Sequence, residues 1–404
     1  MARTEPINPD ILSWARETAG LSVAQAAEKL GLKDTAKASA VEKLMAIEAG
    51  ERELAHGTLQ KAAAAYRRPL ITIYLAAPPA RGERGQDFRT APGAVSAPDN
   101  GLLDALIRDV RARQQMLRDV LVIEEEASAL PFVGSARIGQ GAKTVSGMIR
   151  AALGATTAMQ RKAKDPAALF AVLRSAAERI GAYVLLLGVL GSHHSDIGED
   201  VFRGFALADD VAPFVVINDN DATTARSFTL MHELSHIWIG ASGVSGPLRD
   251  VADNAVERFC NDVAGEFLLP SDEISDAPDL RGADMQVVLA ATAEIARDWN
   301  VSQGVVVYRL ARNGQIASVV ATALFRVFAE RWRAEKQGAK DSREPDDTGP
   351  TFYIVRRSRL GAGLLDVVRR ALQGDVLTHT KAAKILGVKP SAVDSLLRER
   401  PRAA

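Results

Sequence analysis

Cysteine is nearly missing from this chain. Cys260 stands alone among 404 residues, which excludes an internal disulfide and any thiolate metal cluster, so a metal bound here must rely on imidazole and carboxylate. Cys260 itself reads as a small core residue. No long run of uncharged apolar residues is present, which leaves no candidate for a membrane span. Net charge is zero, with 50 Lys and Arg against 50 Asp and Glu, and this argues against non-specific attraction of the whole molecule to nucleic acid. The opening MARTEPINPD holds no apolar h-region and leads straight into an amphipathic segment, so the cytoplasm is the expected compartment. Histidine is scarce as well, at positions 56, 193, 194, 232, 236 and 379 only.

What is there suffices for two or three domains and a core of full size, with 47% hydrophobic and 25% charged residues. Residues 1–77 show helical spacing broken by tight turns: Ile11, Leu12, Trp14 and Ala15 precede Gly20, Ser22 looks like an N-cap for VAQAAEKL, and Gly31 like its stop. A helix-turn-helix bundle is expected there. Residues 78–100, rich in Pro, Gly and charge, read as a linker. A long amphipathic helix from Leu102 to about Glu126 opens the central region, 101–335, with further helices over 143–154 and 166–180. AYVLLLGVL, VFRGFALAD and APFVVIND read as strands, and helices return after them. Residues 336–350 form a second charged linker. Beyond it a short strand, TFYIV, a helix, LLDVVRRAL, and a final helix pair make up a basic module, 351–404, with eleven Lys and Arg against four Asp and Glu.

The stretch FTLMHELSHIWIG carries the chemistry. His232 and His236 lie one turn apart on one helical face, where both imidazoles can reach a single ion. Composition alone would give this pattern on the order of 0.005 times in a chain of this length. Zinc suits such a pair because it accepts imidazole and carboxylate in tetrahedral geometry and can keep its fourth position for water. A third ligand is sought in DVADNAVERFCNDVAGEFLLP. Glu257 falls near the apolar side of that helix, with Asp253, Asp262 and Glu266 as competing choices, and Asn261 stands where it could hydrogen-bond a ligand. Glu233 can approach the water and act as general base, passing the proton to a leaving amine. Amide hydrolysis is the natural reaction, and a purely structural zinc is the competing reading. His193 and His194, adjacent in a polar loop, point apart and are not taken as ligands.

These residues resemble a known family. HELSH, followed by ERFCNDVAGEFLLP and preceded by a strand ending in Asn218, is similar to the ImmA/IrrE metallopeptidases across roughly residues 180–320. GLSVAQAAEKL, IEAGERE and YRRPLITIYL resemble the XRE-type helix-turn-helix fused to such enzymes. The resemblance implies that Glu257, opening an E-x-x-x-N helix, is the third zinc ligand, and that the substrate is a DNA-binding repressor protein, so that cutting controls genes of stress response or mobile elements. The expected fold class is therefore α+β: mainly helical, a gluzincin-like metallopeptidase domain with a small mixed sheet, flanked by an N-terminal helix-turn-helix bundle and a small basic C-terminal helical module. An extended substrate could pair with an edge strand such as FVVIN, and Tyr308 could stabilise an oxyanion or simply pack. ASAVEKLMAIEAG, where a recognition helix would lie, has few base-reading side chains. Duplex DNA remains a candidate partner through the ends of the chain, where Arg356, Arg357, Arg359, Arg369, Arg370, Lys381, Lys384 and Lys389 could meet phosphates. The second function kept open is a regulator that retains the zinc fold but works by binding DNA or a partner protein.

Overall fold

The computed structural model describes residues 7–79, 86–87, 95–190, 195–245, 254–275, 277, 279–341 and 351–398. Four short helices open the chain: α1 (Pro9–Thr18), α2 (Val23–Leu30), α3 (Ala40–Glu48) and α4 (His56–Ala65). Their starts are dictated locally. Ser22 accepts from the Gln25 amide and Ser39 from the Glu42 amide, each closing a reciprocal capping box. Gly31 ends α2 in the left-handed region at φ +72°. Ile11, Leu30, Leu44, Leu59 and Tyr66 meet in a core that belongs to this bundle alone. On α3 the exposed side chains are Glu42 and Met45, while Lys43 turns inward and donates to the Lys33 carbonyl at 2.5 Å.

Two glycines lock the bundle onto the fifth helix, α5 (Ala97–Ile123). Gly20, after α1, sits so close to Ala97 that a Cβ there would overlap its carbonyl, and Gly101 sits equally close to the Ala19 backbone. Ala97 and Gly101 lie in the first turns of α5. Only residues without a side chain allow backbones to approach like this. Within the bundle, Arg68 Nη2 donates to Thr18 Oγ1 at 2.8 Å.

After α5 come α6 (Ala142–Leu153), α7 (Thr157–Arg161) and α8 (Pro166–Arg179). The sheet has five strands, β1 (Gln86–Asp87), β2 (Tyr183–Leu186), β3 (Gly204–Leu207), β4 (Phe214–Ile217) and β5 (Gly243–Ser245), in the order β1-β5-β3-β4-β2. It is mixed: β3 runs antiparallel to β4 and β5, whereas β2 is parallel to β4 and β1 to β5. Every residue of β2, β3 and β4 is buried, as the near-continuous apolar runs require of a sheet covered on both faces. Alternation divides them. Val184, Leu186, Ala206, Val215 and Ile217 face one core, with α6, α8 and two later helices, α9 (Arg226–Trp238) and α10 (Ala255–Leu268). Tyr183, Leu185, Phe205, Phe214 and Val216 face the other, with α5 and the C-terminal helices. The fold is thus α+β, mainly helical around a small mixed sheet. FVVIN is not an edge strand, because β4 lies between β3 and β2.

The chain continues through α11 (Ser271–Ile274), α12 (Met285–Asp298), α13 (Gln303–Arg312), α14 (Ser318–Asp341), α15 (Phe352–Leu360), α16 (Ala362–Gln373), α17 (His379–Leu386) and α18 (Val393–Leu397). TFYIV, expected as a strand, is the start of α15. Its β-rich composition is overridden by tertiary contacts: Leu360 is buried, Arg356 donates to the carbonyls of Leu386 and Gly387, and Arg357 donates to those of Ser395 and Leu396. The C-terminal helices share one core with α5 and the sheet. Glu178 of α8 accepts from the Ala362 and Gly363 amides at 3.0 and 3.1 Å, capping the start of α16. Arg174 donates to the Ser358 carbonyl at 2.5 Å and pairs with Glu178 at 3.1 Å. Arg359 pairs with Asp219, Arg369 with Asp366 and Arg370 with Glu126. Of the basic residues proposed to meet phosphates, Arg370, Lys381, Lys384 and Lys389 stand exposed, and of these Arg370 is paired with Glu126. No helix among the described residues is long and apolar enough to cross a membrane.

Candidate metal centre

The motif helix α9 is buried along its whole length from Ser227 to Trp238. It packs against β3 and β4 on one side and α10 on another, so the side chains it turns inward have fixed surroundings. Asn254 caps α10 by accepting from the Val256 amide at 2.8 Å. Glu257 therefore sits in the first turn of that helix, where the unpaired amides and the helix dipole favour a carboxylate.

Three side chains converge. His232 Nε2 and His236 Nε2 are 3.1 Å apart, Glu257 Oε1 is 2.9 Å from His236 Nε2, and Glu257 Oε2 is 3.3 Å from His232 Nε2. A tetrahedral ion about 2.0–2.1 Å from each ligand atom would hold those atoms about 3.3 Å apart. The donor set fits: the three buried residues form a group that could hold a metal ion. The competing carboxylates are engaged elsewhere. Asp262 accepts from the Tyr308 hydroxyl at 2.7 Å and pairs with Arg312, and Glu266 is bound to Arg309 and Ser271. Asp253, His193 and His194 lie outside the described residues.

Electrostatics bear the same mark. Burial raises the Glu257 carboxyl, but the two imidazoles outweigh it and hold the group down at about 2. Burial likewise opposes charge on His232, and the Glu257 carboxylate outweighs it, lifting the imidazole to about 9, with help from Glu233 and Asn261. His236 is lowered, chiefly by burial. In the metal-free protein a proton on His232 thus stands in for the cation. Glu233 is fully buried, and burial pushes it up to about 8 against the opposing charge of His232 and a hydrogen bond from Ser245. A buried carboxylate raised this far, next to a group of ligand side chains, is the kind of perturbed acid found at functional sites.

Two residues at this site are not signalled by the motif. Ser245, on β5, places its Oγ 3.0 Å from His232 Nε2. Gly204, on β3, leaves the room that Glu233 occupies: a Cβ there would stand 2.6 Å from Glu233 Oε1 and 2.8 Å from Thr229 Cγ2. A glycine inside an apolar strand does signal a close approach, but nothing in the sequence says to what. Tyr308 has its hydroxyl bonded to Asp262, which favours the packing role over an oxyanion donor. Cys260 is fully buried, its thiol raised well above the ordinary value by burial.

Fold and site together define an α+β protein with a buried His-His-Glu group suited to a metal ion. Residues 192–311 match the peptidase family model described as the IrrE N-terminal-like domain, which supports a metallopeptidase over this part of the chain and agrees with the resemblance drawn from the motif. Comparisons with curated proteins and with solved structures return no match.

Proposed function

We propose that the protein is a zinc-dependent endopeptidase that hydrolyses a peptide bond in a regulatory protein, a DNA-binding repressor of the helix-turn-helix type, and so controls transcription of stress or mobile-element genes. The observation that carries it is the buried carboxylate of Glu233 beside the convergent His232, His236 and Glu257. Zinc suits this donor set, and when bound it supplies a Lewis acid that acidifies water and polarises a carbonyl. Glu233 accepts the proton of the attacking water at its carboxylate and delivers it to the leaving nitrogen. Asn261, one turn beyond Glu257, helps to raise the His232 imidazole, and Ser245 Oγ lies 3.0 Å from its Nε2. The buried walls around α9 exclude bulk water and keep the base from being levelled by solvent. Repressor cleavage is carried over from the family resemblance.

The test is to incubate the purified protein, with zinc and with chelator, with DNA-binding proteins encoded beside its gene. Cleavage that needs zinc and vanishes in Glu233→Gln supports the proposal, and an intact set of candidates under all conditions counts against repressors as the substrate. A chain that takes up no zinc at one equivalent, even after reconstitution, defeats the metallopeptidase reading altogether.

A further inference from the structure

An open groove with about 710 Å³ of space lies between the N-terminal bundle and α5, and none of the metal-centre residues lines it. Lys29 of α2, Lys61 of α4 and Arg67 just past α4 line it, and Ala64, Ala105 and Leu190 add apolar wall. The carboxylate in this lining, Asp109, is paired with Arg113 at 2.5 Å. Positive charge is therefore in excess. Arg67 Nη2 donates to Ser195 Oγ at 3.2 Å, whereas its Nη1 is buried with no hydrogen-bond partner among the described residues. Burial and the nearby charge of Arg108 both disfavour the Arg67 cation, so a guanidinium is held there at a cost that an anion would relieve.

The chemistry of the occupant is set by three features. Cations arrive from α2, from α4 and from the turn that follows it, which suits a ligand with several anionic oxygens better than a single carboxylate, and Arg with Lys is the usual phosphate-binding combination. The volume falls in the range of small-molecule sites, about 300–1,000 Å³, well beyond a lone phosphate. Apolar walls beside the cations suit an organic moiety attached to the phosphate. We propose that this groove binds a small organic phosphate of nucleotide size.

Occupancy there has a route to the metal centre. Ser195, which takes the Arg67 bond, begins a segment whose Ile197, Gly198 and Phe202 carbonyls all accept from Asn218 Nδ2, at 3.0, 3.2 and 3.0 Å. Two residues after Phe202 comes Gly204, against Glu233. A ligand that draws Arg67 away from Ser195 would remove one of the bonds on this segment, which the Leu190 amide to the Ser195 carbonyl at 3.1 Å and the Ile197 amide to the Gly188 carbonyl at 2.8 Å also hold.

The experiment is isothermal titration of the full-length, metal-free protein with ATP, AMP, adenosine and a 30-mer oligonucleotide, in magnesium-free buffer. Working without metal keeps the outcome separate from the proposed peptidase activity. ATP is expected to bind one to one and AMP more weakly, with adenosine not binding. Lys29→Gln and Lys61→Gln, both at exposed positions, should each weaken ATP roughly tenfold, the effect of losing one charge-assisted bond. Arg67→Gln should reduce binding further, and circular dichroism reports whether that variant still folds. No saturable ATP binding, ATP binding unchanged in both lysine variants, adenosine binding as tight as ATP, or binding of the oligonucleotide alone would each overturn the proposal.

Discussion

Gly204 offers the sharpest test of how the proposed general base is held. In Gly204→Ala the new methyl group would stand 2.6 Å from Glu233 Oε1 and 3.0 Å from its Cγ. Ordinary contact requires the carboxylate to retreat by roughly 0.7 Å. A misplacement of about 1 Å at a reacting group costs on the order of 100-fold, so kcat should fall roughly 10- to 100-fold. Stability should change little by comparison. Replacing a strand glycine regains about 0.5–1 kcal/mol of backbone entropy, while overpacking costs about 1–3 kcal/mol, leaving a net loss of about 1 kcal/mol and a Tm lowered by a few degrees. Zinc content should stay at one equivalent, since the three atoms nearest the methyl group belong to Glu233 and Thr229 and to no metal ligand. Single-turnover cleavage of the identified substrate, with elemental analysis of the same preparation, separates these effects. Cleavage by Gly204→Ala at the unmodified rate, with zinc bound, would refute the placement of Glu233 as base.

The same geometry sets further expectations. His232 is held up at about 9 in the metal-free protein, so at pH 7 zinc must displace about one proton, and its apparent affinity should rise about tenfold per pH unit until pH approaches 9. Titrations in buffers of different ionisation enthalpy measure that proton, and an affinity flat between pH 6 and 8 would contradict it. The same shift sets a stability window: the raised His232 stabilises the metal-free fold fully below its unfolded value of about 6.5 and ceases to do so as pH rises through about 9, which thermal melts of chelated protein should show. Glu257→Gln leaves two buried imidazoles without an anionic partner, and zinc affinity should drop by at least 100-fold while Glu233→Gln keeps the metal; equal zinc retention in both would exclude Glu257 as a ligand. Glu178→Ala removes the cap of α16 and strands Arg174 in a buried site, costing about 3 kcal/mol, to be read from urea unfolding. If Lys381, Lys384 and Lys389 contact duplex DNA, replacing all three by Gln should lower the salt slope of binding by about 3, and an unchanged slope removes this end of the chain from consideration.

The parts of this molecule that were legible in the sequence are those fixed by local rules. Ser22 and Ser39 announce helix starts because their side chains satisfy amides three residues on. His232 and His236 share a face because helical geometry dictates it, whereas Glu257 was separated from Asp253, Asp262 and Glu266 only by the family resemblance. What escaped notice depends on distant contacts. Phe352, Tyr353, Ile354 and Val355 have strand-like composition, yet the carbonyls of α17 and α18 draw Arg356 and Arg357 into a helix that no short window could foresee. Whether β4 lies inside or at the edge of the sheet is decided by β2 and β3, and Ser245 reaches His232 only because β5 lies next to β3.

The two glycine contacts, Gly20 on Ala97 and Gly101 on Ala19, leave the N-terminal bundle no room to slide against α5. A protein gripped by the bundle would be offered to the metal at one set span, as on a caliper. Where such a partner is cut would then be chosen by reach along its chain, with the side chains flanking the broken bond given only a minor vote.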